Sequence, residues 1–113
     1  MNRRQIFNKV KKHLLTQNAK SKSGGICQYQ YRELKCAIGC LIPDKYYRSY
    51  FEGHSIMHYL PLQTTLASIL GEPLDLGFLQ ELQEIHDRSK VEEWPNKLDE
   101  FEERWLGMPQ TPE

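Results

Sequence analysis

Long hydrophobic runs are missing from this sequence. The longest, from Ala37 to Pro43, is far below the roughly 18–20 residues that a membrane-crossing helix needs, so no such helix is expected. The basic start from Met1 to Lys12 has no apolar segment behind it, which argues against a secretory signal. Its acid-free character is shared with organelle presequences, yet Asn2 to Gln17 reads better as a helix built into the fold. Cysteine is scarce and odd in number (Cys27, Cys36 and Cys40), which argues against a closed disulfide framework and for reduced thiols in a cytoplasmic protein. There is no Cys-x-x-Cys knuckle, no nucleotide-binding or RNP motif, and no spacing that matches a catalytic signature.

What is present is charge, sorted steeply along the chain. Residues 1–50 carry eleven basic side chains against two acids, Glu33 and Asp44, which leaves +9. Residues 51–113 carry four basic side chains against thirteen acids, which leaves −9. The total of zero therefore hides a gradient that bears on partners and on how the halves meet, not on fold. With 113 residues, 39% apolar and 27% charged, the chain is expected to form one globular domain over 1–107, followed by a flexible tail over 108–113.

Periodicity supplies the elements. Asn2 caps a first helix, with Gln5 as capping-box partner and Ile6, Phe7, Val10 and Leu14 on one face. Asn18 to Gly25 reads as loop, and Ile26 to Tyr31 alternates as a strand with Cys27, Tyr29 and Tyr31 on one side. Leu34 to Pro43 fits a short helical stripe, with a second strand as the alternative. Asp44 is placed to cap a turn holding Tyr46, Tyr47 and Tyr50, and 54–59 is irregular or a short strand. Pro61 and Gly71 bracket a helix with Leu62, Leu66, Ile69 and Leu70 inward. Asp75 caps the next, with Phe78, Leu79, Leu82, Ile85 and His86 inward. The last begins at Pro95 and carries the line Trp94, Leu98, Phe101, Trp105. The expectation is a mainly helical α+β domain of four to five helices with a small strand element. Its core holds Ile6, Phe7, Val10, Leu14, Ile38, Leu41, Leu66, Leu70, Leu79, Leu82, Leu98, Phe101 and Trp105.

Four sets of side chains could carry chemistry. On a helix Cys36 and Cys40 would share a side, and with Cys27 and His54 or His58 they would make a four-ligand zinc site; the bland reading is three small core residues. One of the same thiols, activated by Lys35 and Arg32 and paired with His54, His58 or His86, would be a nucleophile. The basic half offers Arg3, Arg4, Lys9, Lys11, Lys12, Lys20 and Lys22 to phosphates and Tyr29 and Tyr31 to bases; alternatively it packs on the acidic half. The acids Glu92, Glu93, Asp99, Glu100, Glu102 and Glu103 make a negative face for a basic protein partner.

The run Leu34-Lys-Cys-Ala-Ile-Gly-Cys-Leu-Ile-Pro-Asp44, with Cys27-Gln-Tyr-Gln-Tyr31 before it and Glu52-Gly53, Leu82-Gln-Glu-Ile-His-Asp87 and Trp94-Pro95 after it, resembles a family of small bacterial and phage-borne proteins of uncharacterised function. The resemblance spans most of 1–106 and implies origin as prophage or mobile-element cargo. It brings no catalytic residues with it. Small proteins of that setting act on host or competing-element proteins, anti-CRISPR inhibitors among them.

The function expected from these readings is a non-enzymatic protein-binding module that inhibits a host defence or nucleic-acid-handling protein through a charged face, with no cofactor. The alternatives are nucleic-acid binding through the basic half and a cysteine-dependent enzyme or zinc-stabilised domain.

Overall fold

Asn2 begins the first helix as its side chain dictates. It accepts the Gln5 N–H at 2.8 Å while the Gln5 side chain accepts the Asn2 N–H at 2.9 Å, which satisfies two of the helix's orphan donors. The helix α1, Arg3–Gln17, buries Ile6, Phe7, Val10 and Leu14, so the basic start is part of the fold. A computed structural model describes residues 1–107; the tail expected over 108–113 lies outside the described residues.

The segment that follows departs from expectation. The single strand over Ile26–Tyr31 is instead two short antiparallel hairpins. In the first, β1 (Lys22–Ser23) pairs with β2 (Ile26–Cys27); in the second, β3 (Gln30–Tyr31) pairs with β4 (Leu34–Lys35). Gly24 and Gly25, both at positive φ, let the first hairpin close in two residues. The chain therefore turns between Cys27 and Tyr31, and the expected common face is broken.

The favoured helix over Leu34–Pro43 does not form either. Leu34 and Lys35 are spent in β4, and only Gly39–Leu41 makes a turn of 3-10 helix. Cys36, Ala37, Ile38 and Gly39 are all enclosed, and the groups of the first helical bond are engaged elsewhere: the Ile38 N–H donates to Gln83 and the Leu34 carbonyl accepts from Ser21. The Cys36 N–H donates to the Tyr29 carbonyl at 3.2 Å, and Gly39 sits against that same carbonyl. The turn Asp44–Tyr46 is present, but Asp44 does not cap it; its carboxylate binds Lys35 Nζ at 2.7 Å. Residues 54–59 form hydrogen-bonded turns rather than a strand, with the Ser55 carbonyl accepting from His58 and Tyr59.

Three longer helices complete the chain. In α2, Leu60–Leu70, Pro61 stands in the first turn and Gly71 ends the helix; Leu62, Leu66 and Leu70 are buried, and Ile69 only half so. In α3, Leu76–Arg88, Asp75 caps as expected by accepting the Phe78 N–H, and the whole predicted stripe is buried. The last, α4, spans Trp94–Leu106 and starts one residue before Pro95. It packs on α1 and α3 around Phe101, whose ring lies 5.7 Å from Phe7 and 5.0 Å from Phe78. Trp105, expected in the core, lies at its rim and donates its indole N–H to Glu81 at 2.7 Å. The result is a mainly helical α+β domain.

Side chains of the helices hold the irregular middle in place. Gln17 of α1 brackets Lys35, accepting its N–H at 3.0 Å and donating to its carbonyl at 2.9 Å. Gln83 of α3 accepts the Ile38 N–H at 2.9 Å. Glu52 accepts the N–H groups of Tyr29 and Gln30 and the Tyr47 hydroxyl. Strands of two residues supply few ladder bonds, so these contacts satisfy backbone groups that a larger sheet would otherwise pair.

Candidate functional site

The cysteines and histidines come together in a different set from the one expected. Cys27, Cys36, Cys40 and His54 do not assemble as four ligands, because Cys36 and Cys40 lie in a tight buried turn and not on a helix face. Among the described residues the metal-capable groups that converge are Cys27, His86 and Asp87, with ligand atoms within 4.8 Å of one another. His86 of α3 is fully buried, and both ring nitrogens are engaged. Nε2 accepts the Ser21 N–H at 3.0 Å, which assigns the ring proton to Nδ1, where it is donated to Asp87 Oδ1 at 2.7 Å. Gln83 Nε2 donates to the same oxygen at 2.9 Å. A metal on Nδ1 would need that lone pair and would send the proton to Nε2, against the Ser21 N–H. The arrangement ties the first hairpin to α3.

Burial raises all three thiols above the ordinary cysteine value. Burial first, and then the neighbouring Asp87 carboxylate, pushes Cys27 up to about 11. Burial raises Cys40 to about 12, opposed by Lys9 and Lys35, and burial raises Cys36 further still. At neutral pH all three are protonated, whereas nucleophilic chemistry needs the thiolate. Lys35 acts on Cys40 in the expected direction but burial outweighs it, and Arg32 lies over the Tyr31 ring.

The expected charged faces are partly consumed inside the molecule. Arg4 of α1 pairs with Glu102 of α4, Arg3 with Asp75, and Lys11 with Asp99 at 3.9 Å. Glu102 is only 5% exposed, which removes it from any docking face. Glu100 pairs with Lys97 at 3.8 Å, and Glu93 accepts the Lys90 N–H, leaving Glu92 and Glu103 exposed without a recorded side-chain pair among the described residues. On the basic side, Lys20 donates to the Asp87 carbonyl, while Lys9, Lys12 and Lys22 are exposed. Tyr29 is buried with its hydroxyl donating to the His54 carbonyl, so it cannot stack on a base; Tyr31 is half-buried beside Arg32.

A surface that the sequence reading passed over lies along α2. Between Glu52 and Glu72 the chain carries no Asp, Glu, Lys or Arg, nineteen uncharged residues in a protein that is 27% charged. Leu62, Leu66 and Leu70 point inward, and Leu60, Thr64, Ala67 and Ser68 at i, i+4, i+7 and i+8 form the opposite crest. Leu60 is 69% exposed, and Met57 beside it in sequence is also exposed. Grooves flank the crest. One, of about 590 Å³, runs between α2 and Glu72, Pro73 and Leu74. The other, of about 440 Å³, runs between Thr64, Thr65 and Ser68 on α2 and Tyr46, Arg48 and Tyr50. The unbroken lack of charge was legible in the sequence; that it faces outward was not.

Among the described residues no helix is long and apolar enough to cross a membrane. No family model matches the chain, and neither the curated proteins nor the solved structures include a significant match.

Proposed function

We propose that the protein is a non-enzymatic protein-binding module that docks through the uncharged face of α2 and not through the acidic face of α4. The observation that carries this reading is the outward crest of α2, from Leu60 to Ser68, which lies within a nineteen-residue stretch without Asp, Glu, Lys or Arg. Interface cores are depleted of charge, as this face is, and Leu60 supplies one large exposed apolar anchor. The occupant is the apolar side of a partner protein's helix. Small residues at Thr64, Ala67 and Ser68 leave room for another helix to approach closely, and the groove beside Leu74 takes a side chain from it. A phosphate or an anionic membrane would call for cations along the crest, and none is there. The resemblance to phage-borne proteins supports a cytoplasmic host-defence or nucleic-acid-handling protein as the partner.

The test is a tagged pull-down from bacterial lysate, with and without nuclease, comparing the native chain with Leu60→Asp. An acid in the first turn of α2 suits the helix dipole, so this variant keeps its fold while placing charge on the face. A stoichiometric protein retained through nuclease by the native chain and lost by Leu60→Asp is the expected outcome. Retention indifferent to Leu60→Asp, or capture abolished by nuclease, overturns the reading.

A further inference from the structure

The groove on the other flank of α2 has a different chemistry. Tyr46 and Tyr50 are 45% and 56% exposed. Both are held. Lys45 Nζ lies 5.0 Å over the Tyr46 ring, and Tyr50 stands edge-on to the buried Phe51 ring at 5.3 Å. Arg48 is held too, one of its terminal nitrogens donating to the carbonyls of Lys45 and Tyr47 at 2.9 and 2.8 Å, which leaves its other N–H groups available. Thr64, Thr65 and Ser68 line the facing wall with hydroxyls, and no acid lines the groove. The nearest acid in sequence, Asp44, is bound to Lys35. Neither Lys45 nor Arg48 has a carboxylate within 4.0 Å among the described residues.

We propose that this groove binds a single strand of nucleic acid, a base resting against the Tyr46 and Tyr50 rings and its phosphates meeting Arg48 and Lys45. Fixed aromatic rings beside cations, with hydroxyls opposite, match a ligand that joins a flat π face to an anion. The volume of about 440 Å³ falls in the range of small-ligand sites and suits a single nucleotide unit. A strand is favoured over a free nucleotide because two exposed rings, Tyr46 and Tyr50, and two cations, Lys45 and Arg48, stand together where one nucleotide would use one of each. Lys45 and Arg48 are distinct from the α1 cations, of which Arg3, Arg4 and Lys11 are paired internally. The proposal does not rest on the docking reading: Thr64 and Ser68 border both sites, but Tyr46, Tyr50 and Arg48 lie outside the α2 crest.

The test is fluorescence anisotropy with a labelled 12-mer of oligo-dT, the same length of duplex, and dTMP as competitor, at 50 and 200 mM salt. The single strand is expected to bind and to weaken roughly 7-fold across that salt range, the slope for about two phosphate contacts. Tyr46→Ala and Tyr50→Ala each weaken it by about 5- to 100-fold, the range for one lost base stack. Tyr46→Phe retains binding, which separates stacking from any change in fold, and Arg48→Gln flattens the salt slope by about one contact. Equal affinity for duplex, dTMP competing as well as the 12-mer, no binding at 50 mM salt, or affinity indifferent to both tyrosine substitutions overturns the proposal.

Discussion

A Cβ on Gly39 would lie 1.9 Å from the Tyr29 carbonyl oxygen, which is itself the acceptor for the Cys36 N–H. Backbone atoms on both sides leave nothing flexible to give way. Gly39→Ala is therefore expected to cost about 3 kcal/mol or more, read as a lowered urea midpoint at unchanged slope. That single contact explains the Cys-Ala-Ile-Gly-Cys run as a packing device. Cys27 offers a second test at this scale. Its alkylation by iodoacetamide, followed by mass spectrometry, should accelerate about tenfold per pH unit from pH 7 to 10, since the thiolate reacts and the thiol is pushed up to about 11. A plateau near pH 9 would show an ordinary thiol and contradict the burial described.

Between elements, the pair that matters most is Arg4 of α1 with Glu102 of α4, because Glu102 is enclosed. Removing one partner leaves a buried charge alone. Arg4→Met should cost about 3 kcal/mol, while Arg4→Met with Glu102→Met together should recover most of it, as a double-mutant cycle in urea would show. The exposed pair Lys97–Glu100 provides the contrast: Lys97→Ala should change stability by less than about 0.5 kcal/mol. The helix caps were readable from sequence, since Asn2, Gln5 and Asp75 act on neighbours three residues away. The hairpins were not. Ile26 to Tyr31 alternates well enough for one strand, and only the competing demand of Glu52 for the Tyr29 and Gln30 N–H groups shows where the strand must break.

Across the whole molecule, the gradient from +9 to −9 is in part an internal fit. Three cations of α1 meet acids of the second half, at Asp75, Asp99 and Glu102. Alkaline stability follows from the buried thiols taken together. Each ionises more readily in the unfolded chain, at the ordinary thiol value of 9.0, than in the fold, where Cys27 and Cys40 sit near 11 and 12. Their contribution is therefore complete below pH 9 and is lost as pH rises through 9 to 12, with Cys36 acting in the same direction. The melting temperature should hold from pH 7 to 9 and fall above it. A flat profile to pH 11 would contradict this account.

By itself the sequence determined the four longer helices, the caps of α1 and α3 and most of the core, because these depend on spacing within a few residues. It also determined the charge gradient and the uncharged stretch before Glu72. Only the tertiary structure decided which charges are spent in pairs, that His86 and Asp87 meet Cys27 instead of Cys36 and Cys40, and that Tyr29 is buried while Tyr46 and Tyr50 are not. Those outcomes join residues far apart in the chain: 65 positions separate Ser21 from His86, and 98 separate Arg4 from Glu102. Local periodicity carries no information about such meetings, which are set by how the helices and turns pack around one core.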